Sequence, residues 1–315
     1  MSRAFLFPGQ GAQTIGMGRD LADAYPAARA VFQEVDDALG EALSAQIWEG
    51  DIETLTLTQN AQPALMATSM AAMRALEAEG VTVAAAAFVA GHSLGEYSAL
   101  CAAGAISVAD TARLLRARGK AMQQAVPVGV GAMAAILGLD LEAVRDVAAE
   151  AAGDQVCAAA NDNDPAQVVV SGHKEAVERA VEIAKARGAK RAVLLPVSAP
   201  FHCALMQPAA DAMAQALAGV TVNAPVVPVV ANVPAAPVSD PDEIKSLLVQ
   251  QVTGAVRWRE SVAAMVAAGV TETWEIGAGK ALTGMVRRID RSVATRTLGK
   301  AEEVKAAAAS LSDNN

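Results

Sequence analysis

The length, composition and charge of the chain exclude several classes of protein. Its 315 residues are enough for one large domain or two smaller ones. The hydrophobic fraction is 53%, but no apolar run approaches the roughly 18–20 residues that a membrane span needs. The net charge of −9 argues against nucleic acid as a partner, because phosphate binding needs clustered Lys and Arg.

The N-terminus and the cysteines favour a cytoplasmic protein. The apolar run before Pro8 is only four residues long, Ala4 to Phe7, too few for the apolar region of a signal peptide. The three cysteines, Cys101, Cys157 and Cys203, form no CxxC pair and no disulfide framework. A reducing compartment therefore fits the chain best.

The first part of the chain predicts short strands that lead into helices. In order we expect a strand at 3–7, helices to about residue 80, a strand at about 85–90, and helices at about 94–104 and 107–125. Gly80 is suited to end a helix, and Ser107 is placed to cap the helix that follows it. This alternation predicts an α/β protein.

Residues 128–198 have an element order of their own. The pattern predicts β-α-β-β-α-β, the ferredoxin-like arrangement, with the turn between its middle strands at "DNDP", residues 162–165. From residue 199 onward, helices and short strands alternate again, as in a mostly parallel sheet. We therefore expect a catalytic subdomain of residues 1–127 and 199–315, interrupted by a small subdomain of residues 128–198.

The motif "GHSLGEYSAL", residues 91–100, follows the predicted strand and opens a helix. A Gly-x-Ser-x-Gly sequence at such a turn is typical of a nucleophile elbow. The flanking glycines let neighbouring backbone approach, and the first N–H groups of the helix can stabilise an oxyanion. Ser93 is therefore the candidate nucleophile. The alternative is a tight turn with a purely structural role.

A serine nucleophile needs a base, and the chain has three histidines. His92 adjoins Ser93 and should point to the other side of the turn, and His173 is expected as a surface residue or cap in the small subdomain. His202, in "VSAPFHCALM", follows the small subdomain, and the order Ser before His fits the α/β-hydrolase plan. We predict His202 as the base, although a hydrogen-bonded core histidine is the alternative. The neighbouring Cys203 is interpreted as a packing residue.

No acidic residue stands out as a third member of a triad, so a backbone carbonyl or an amide is expected to orient the base. The loop "FPGQGAQ", residues 7–13, lacks the third glycine and the Lys-Ser/Thr of nucleotide-binding loops. A glycine-flanked Gln10 after a strand is instead well placed to provide a backbone donor to an oxyanion hole.

Arg118 falls on the apolar stripe of its predicted helix, at helical spacing from Leu114, Leu115 and Met122. A buried guanidinium is costly unless an anion or several acceptors meet it, and its fork suits a carboxylate. Together with a serine nucleophile, Arg118 indicates an acyl group with a free carboxylate at its far end. An internal salt bridge to Asp or Glu is the alternative.

The sequence resembles the malonyl-CoA:acyl-carrier-protein transacylases of fatty acid synthesis over essentially its whole length. The motifs that carry the resemblance, in order, are "FLFPGQGAQ", "GHSLGEYSAL", "LRARGKAMQ", "GAMAAILGL", "ANDNDPAQVVVSG", "PVSAPFHCALM" and "QQVTGAVRW". The resemblance implies an α/β-hydrolase-like large subdomain with a ferredoxin-like insert. It also implies malonyl-CoA as substrate, acyl carrier protein as partner, and neither a metal nor a permanently bound cofactor.

The resemblance also assigns roles to residues. Ser93 would be the nucleophile, His202 the base, Arg118 the clamp on the malonyl carboxylate, and the N–H groups of Gln10 and Leu94 the oxyanion hole. The supporting residues would be Gln251, whose main chain orients the histidine, Asn161 in the cleft, His92 and Phe201. In related polyketide acyltransferases, the Phe-His pair seen here as Phe201 and His202 is typical of enzymes that use malonyl rather than methylmalonyl groups. The family often has serine where this chain has Cys203, so the pocket wall differs slightly.

Both partners implied by the resemblance are acidic, as is this chain, so docking should use a local basic patch. The candidates are Lys185, Arg187, Lys190 and Arg191 in one run, and Arg287 and Arg288 in another. A malonyl acyltransferase that serves a polyketide synthase, or a serine thioesterase or esterase, are the alternative functions.

Overall fold

The computed structural model describes residues 2–197 and 199–312. Its strands are β1 (Ser2–Phe7), β2 (Phe88–Gly91), β3 (Gly131–Leu137), β4 (Cys157–Asp164), β5 (Gln167–His173), β6 (Arg191–Leu194), β7 (Val229–Ala231), β8 (Ala236–Val238), β9 (Val270–Ile276) and β10 (Ala294–Leu298).

The helices connect these strands and cover the sheets. They are α1 (Arg19–Ala24), α2 (Pro26–Leu39), α3 (Leu43–Glu49), α4 (Ile52–Thr56), α5 (Thr58–Ala78), α6 (Gly95–Ala102), α7 (Val108–Gln124), α8 (Leu141–Ala152), α9 (Lys174–Ala186), α10 (Gln207–Ala218), α11 (Pro241–Thr253), α12 (Trp258–Ala267), α13 (Ala281–Ile289) and α14 (Ala301–Ser312). None of the helices in the described residues is long and apolar enough to cross a membrane. The predicted cap of α7 is confirmed, because Ser107 Oγ accepts a hydrogen bond of 3.0 Å from the amide of Asp110.

The larger sheet has the strand order β10-β9-β1-β2-β7-β8. All neighbours are parallel except β8, which runs antiparallel to β7. β1 is apolar from Ala4 to Phe7, where it is buried on both faces. Its alternating side chains enter two separate cores, with Phe5 and Phe7 in one and Ala4 and Leu6 in the other. The carboxyl ends of β1 and β2 therefore meet at one edge, where the predicted catalytic loops begin.

The smaller sheet has the order β4-β5-β3-β6, and all of its neighbouring strands are antiparallel. Its elements follow the chain order β3, α8, β4, β5, α9 and β6, which is the predicted ferredoxin-like order. α8 and α9 pack on one face around a separate apolar core that includes Ile136, Val144, Val170 and Val177. The predicted fold class, a mostly parallel α/β sheet with a second small sheet, is confirmed.

The predicted subdomain limits, 1–127 with 199–315 and 128–198, stay a prediction. The two sheets are consistent with them, because sheet membership changes after α7 and again after β6. Met1, Ser198 and residues 313–315, which the limits include, lie outside the described residues.

The predicted turn at residues 162–165 is wrong. β4 continues to Asp164, and the turn to β5 lies at Pro165 and Ala166. Asp162 and Asp164 are buried in the strand, although aspartate is uncommon in strands and its charge makes burial unfavourable. They tolerate burial because arginines from the other subdomain pair with them.

These ion pairs fasten β4 to the larger subdomain. Arg259 of α12 lies 2.9 Å from Asp162, and Arg288 of α13 lies 2.7 Å from Asp164. The backbone of Val256 adds two hydrogen bonds to the strand, one of 2.9 Å from the amide of Asp162 and one of 2.8 Å to the carbonyl before Asn161. The position of β4, and of the side chains that it presents, is thus set by both subdomains.

Candidate active site

Ser93 lies on a sharp turn between β2 and α6. Its φ of 54° falls in the left-handed region, which costs energy for a non-glycine residue. The neighbouring glycines allow the turn, because a Cβ on Gly91 would lie 1.9 Å from the backbone of Gly95, and one on Gly95 would lie 2.2 Å from the carbonyl of Phe7. The Ser93 amide donates a hydrogen bond of 2.8 Å to Asn232 Oδ1, which holds the turn from outside.

Ser93 and His202 form a hydrogen-bonded pair, with Oγ 2.7 Å from Nε2. His202 Nδ1 lies 2.9 Å from the carbonyl of Gln251 and 3.1 Å from that of Gly254. Because carbonyl oxygens only accept hydrogen bonds, Nδ1 carries the proton, and Nε2 is left to accept from the serine hydroxyl. Within the described residues no carboxylate bonds to this imidazole, so main-chain carbonyls orient it.

The imidazole of His202 is held in the neutral form. Its pKa is lowered to about 3, mainly by burial and also by the positive charge of Arg118, although the hydrogen bonds to the two carbonyls oppose these effects. The residue is 4% exposed. A neutral imidazole at pH 7 can accept the proton of Ser93.

Arg118 lies on α7 with only 1% of its surface exposed, and its guanidinium faces Ser93. One Nη2 hydrogen points to Ser93 Oγ at 3.2 Å, another to Gln251 Oε1 at 2.9 Å, and Nη1 donates to Gln62 Oε1 at 2.8 Å. The ring of Tyr97 lies 5.6 Å from the guanidinium carbon. No Asp or Glu among the described residues forms a salt bridge with Arg118, so its hydrogen-bond partners are neutral, while the carboxyl group of Glu96 acts on it from a greater distance.

Gln10 and Leu94 both line the cavity beside Ser93, and their main-chain amides are the candidate donors. Within the described residues neither amide has a hydrogen-bond partner, although the side chain of Gln10 accepts a bond of 2.9 Å from Thr58 Oγ1. Leu94 directly precedes the first residue of α6, so its amide is one of the free N–H groups at a helix start. Two free donors beside a nucleophile can hold a developing oxyanion.

A cavity of about 380 Å³ opens in front of Ser93 between the two subdomains. The smaller subdomain contributes Asn161 and Asn163 from β4, while Phe201 reaches the cavity from the segment that returns to the larger subdomain. His92 also lines the cavity, but its Nε2 lies 2.8 Å from Asn163 Oδ1 and bonds to that residue instead of the nucleophile. The remaining lining is largely apolar.

The other candidates from the sequence do not take part in the nucleophile pair. His173 precedes α9, and its Nδ1 accepts a hydrogen bond of 2.9 Å from the amide of Val156. Cys203 is buried, with Sγ 3.2 Å from the carbonyl of Pro200, and burial raises the pKa of its thiol. Neither side chain is hydrogen-bonded to Ser93.

Two polar residues beside this pair, Glu96 and Asn232, were not predicted from the sequence. Glu96 is 3% exposed, and its Oε2 accepts bonds of 2.9 Å from the amide of Asn232 and from Gln251 Nε2. The pKa of Glu96 is raised to about 7 because the effect of burial exceeds the opposing effects of these donors and of the charge of Arg118. The available signal was a glutamate in the first turn of an otherwise apolar helix, "GEYSALCA".

Comparison with known proteins identifies the family. A family model described as an acyl transferase domain matches residues 4–308. The chain belongs to the acyl transferase family. Relatives named malonyl CoA-acyl carrier protein transacylase include one from Escherichia coli K12, 51% identical over 98% of both chains. One from Bacillus subtilis is 46% identical over 99% of this chain and 98% of the relative.

Solved structures of acyl transferases have the same fold. An acyl-carrier-protein-S-malonyltransferase from Bartonella henselae superposes with a TM-score of 0.97 at 59% identity, covering 99% of this chain and all of the other. A malonyl-transacylase solved with its type II PKS acyl-carrier protein superposes with a TM-score of 0.95 at 43% identity over all of both chains. The cavity around Ser93 therefore lies in a fold that is known for acyl transfer.

Proposed function

We propose that this chain transfers a malonyl group from malonyl-CoA to the phosphopantetheine thiol of acyl carrier protein, in fatty acid synthesis. The observation that carries the proposal is the guanidinium of Arg118, 3.2 Å from Ser93 Oγ and without a carboxylate partner among the described residues. A malonyl ester on Ser93 is short, so its carboxylate stays close to the ester oxygen and within reach of this cation. The names of the relatives support the same substrate pair.

In the first half-reaction Ser93 Oγ attacks the thioester carbon while its proton moves to His202 Nε2. The carbonyl oxygen becomes an oxyanion, which the amides of Gln10 and Leu94 stabilise. The carbon–sulfur bond then breaks, and the coenzyme A sulfur leaves with the proton from His202. A malonyl ester remains on Ser93, with its carboxylate bound by Arg118.

The second half-reaction reverses these roles. The phosphopantetheine thiol gives its proton to His202, and its sulfur attacks the ester carbon in front of the same oxyanion hole. The bond to Ser93 breaks, and Oγ recovers the proton. The reaction exchanges one thioester for another through an ester, so it needs neither a metal nor a bound cofactor.

The supporting residues act through position. The carbonyl of Gln251 keeps the proton of His202 on Nδ1, and Asn161 contributes a polar group to the cleft wall. His92, bonded to Asn163, keeps that part of the wall ordered beside the nucleophile. Phe201 borders the acyl pocket and favours a small malonyl group.

The proposal is tested by intact-mass measurement after mixing with malonyl-CoA and, separately, with acetyl-CoA. We expect a malonyl adduct on Ser93, little acetyl adduct, and loss of the malonyl group when holo acyl carrier protein is added. Ser93→Ala should give no adduct with either thioester. Rapid hydrolysis of both thioesters without transfer would instead support the thioesterase alternative, which has no use for a buried Arg118.

The basic run at residues 287–291 is the weaker candidate for docking of acyl carrier protein. Arg288 is already paired with buried Asp164 at 2.7 Å, and Arg287 Nε donates a bond of 2.9 Å to Thr295 Oγ1. An arginine that neutralises a buried carboxylate attracts an acidic partner only weakly, because its positive charge is already balanced.

The run at residues 185–191 offers more free charge. Lys185 and Arg187 pair with glutamates of their own subdomain, whereas Lys190 and Arg191 are exposed and form no ion pair with any described residue. β6 begins at this point, and the segment that follows it lines the cavity. We place the docking surface at Lys190 and Arg191.

Charge reversal tests this surface. The double variant Lys190→Glu, Arg191→Glu should raise the KM for acyl carrier protein about tenfold, because rim charges mainly steer association. Malonylation of Ser93 by malonyl-CoA should stay unchanged, since neither residue contacts the cavity. Arg29→Glu, an exposed reversal on α2, is the control. An unchanged KM in the double variant would move the docking surface elsewhere.

We place the protein in the cytoplasm, and its three free cysteines support a reducing compartment. We also propose residues 128–198 as an inserted subdomain, supported by the separate antiparallel sheet and its own apolar core.

A further inference from the structure

Glu96 is a buried carboxyl group beside the nucleophile that the transfer chemistry does not use. It lies in the first turn of α6, three residues after Ser93, and both of its hydrogen bonds are made by one oxygen, Oε2. The donors are the amide of Asn232 and the side-chain nitrogen of Gln251, each at 2.9 Å. Burial of a carboxyl group costs free energy unless hydrogen bonds compensate, so the groups that donate to Glu96 indicate its role.

The bond from Gln251 is the important one, because Gln251 also contacts Arg118. The Nε2 group of Gln251 faces three oxygens, Glu96 Oε2 at 2.9 Å, the carbonyl of Ser93 at 3.0 Å and Asn232 Oδ1 at 3.2 Å. The Oε1 atom on the other side accepts the bond of 2.9 Å from Arg118 Nη2. A flipped amide would place oxygen against oxygen and an NH₂ group against the guanidinium.

Each of these three acceptors also has another donor, which for Glu96 Oε2 is the amide of Asn232. The carbonyl of Ser93 accepts a bond of 3.1 Å from the Glu96 amide, and Asn232 Oδ1 accepts the Ser93 amide at 2.8 Å. Glu96 Oε2 is the only one of the three that belongs to a carboxyl group, and hydrogen bonds to carboxylates are the stronger ones. Glu96 therefore contributes most to the orientation of the Gln251 amide.

We propose that Glu96 is a positioning residue that selects for malonyl through Gln251 and Arg118. It holds the Gln251 amide with its oxygen toward Arg118, and this contact keeps the guanidinium directed at the acyl group on Ser93. The inference rests on the proposed function, since it requires that Arg118 binds the malonyl carboxylate. Loss of Glu96 should therefore weaken the reaction of malonyl-CoA more than that of acetyl-CoA, which has no carboxylate.

The test compares Glu96→Met with Glu96→Gln. Methionine has a similar shape but no comparable acceptor, whereas glutamine can place its oxygen where Oε2 lies and keep both hydrogen bonds. The readout is the second-order rate of Ser93 acylation by each thioester, followed by intact mass. Glu96→Met should lower the malonyl rate by about tenfold or more, and the acetyl rate by less than about threefold. Glu96→Gln should keep the malonyl-to-acetyl ratio within about threefold of wild type.

Variants of Arg118 and Gln251 show whether Glu96 acts through this link. In an Arg118→Ala background, Glu96→Met should cause no further loss of the malonyl rate, because the link has already been removed. Gln251→Met breaks the link from the other end and should reproduce the loss of selectivity, while leaving the main-chain carbonyl in place. Glu96→Gln and Gln251→Met keep the test decisive if Glu96→Met does not fold, as judged by thermal unfolding.

The outcomes separate this inference from the proposed function. A wild-type protein that forms no malonyl adduct contradicts the function itself. A wild-type protein that forms the adduct, with Glu96→Met slowing both thioesters equally, overturns the role of Glu96 and indicates a structural contribution only. A loss of the malonyl-to-acetyl ratio in Glu96→Gln as large as in Glu96→Met would likewise overturn it.

Discussion

Replacement of Arg118 by alanine is expected to lower the rate of malonyl transfer to Ser93 by about 10²–10³-fold, the effect of truncating one partner of a buried charge pair. The malonyl carboxylate would then enter a buried site without a counter-charge. The neutral amides of Gln62 and Gln251 cannot replace the positive charge of the guanidinium. Acylation by acetyl-CoA should change much less. Single-turnover acylation, followed by intact mass with both thioesters, measures the ratio.

Two control variants accompany this experiment. Arg118→Lys keeps the charge but not the two-pronged geometry, so it should recover only part of the rate. Arg113→Ala removes an exposed arginine from the same helix, one that pairs with Asp110, and should behave as wild type. An equal loss with malonyl-CoA and acetyl-CoA in Arg118→Ala would show that the guanidinium supports the site without recognising a carboxylate.

Replacement of His202 by alanine is expected to lower both half-reactions by about 10³-fold, within the range for loss of a general base. The hydroxyl of Ser93 would lose the acceptor that lies 2.7 Å away, and no other histidine bonds to it. The measurement is the rate of Ser93 acylation, with His173→Ala as the control. A variant that retains more than about a tenth of the wild-type rate would contradict the assignment.

The same assignment predicts an unusual dependence on pH. Because burial lowers the pKa of His202 to about 3, from an ordinary value of 6.5, the ring stays neutral as the pH falls through 6.5. The unfolded chain takes up that proton first, so the contribution of this group to stability is present above pH 6.5 and is lost as the pH falls toward 3. Imidazole NMR signals of His202 should show no titration between pH 5 and 8, and an inflection near 6.5 would contradict this.

Much of the site could be predicted because its signals are local. The need for Gly91 and Gly95 follows from the sharp turn at Ser93, and all three stand within five residues. The burial of Arg118 followed from helical spacing alone, since it shares a face with apolar residues. His202 was reached by elimination among three histidines, which is possible only in a chain with so few.

The rest could not be predicted because its contacts join distant parts of the chain. Glu96 receives its hydrogen bonds from residues 136 and 155 positions later, Asn232 and Gln251, and no spacing in the sequence links them. The true end of β4 was missed for the same reason. Two aspartates and an asparagine before a proline are typical of a turn. These residues continue the strand because Arg259 and Arg288, which are distant in the sequence, pair with the two aspartates.

The fastening of β4 has a consequence for engineering by domain exchange. Asp162 and Asp164 find their arginines on α12 and α13, outside the smaller subdomain, while the asparagines between and before them face the substrate cavity. A graft that transplants residues 128–198 alone from a distant homologue would carry the pocket wall but would leave two guanidinium groups opposite side chains that do not pair with them. A functional chimera has to bring the matching positions Arg259 and Arg288 along with the strand.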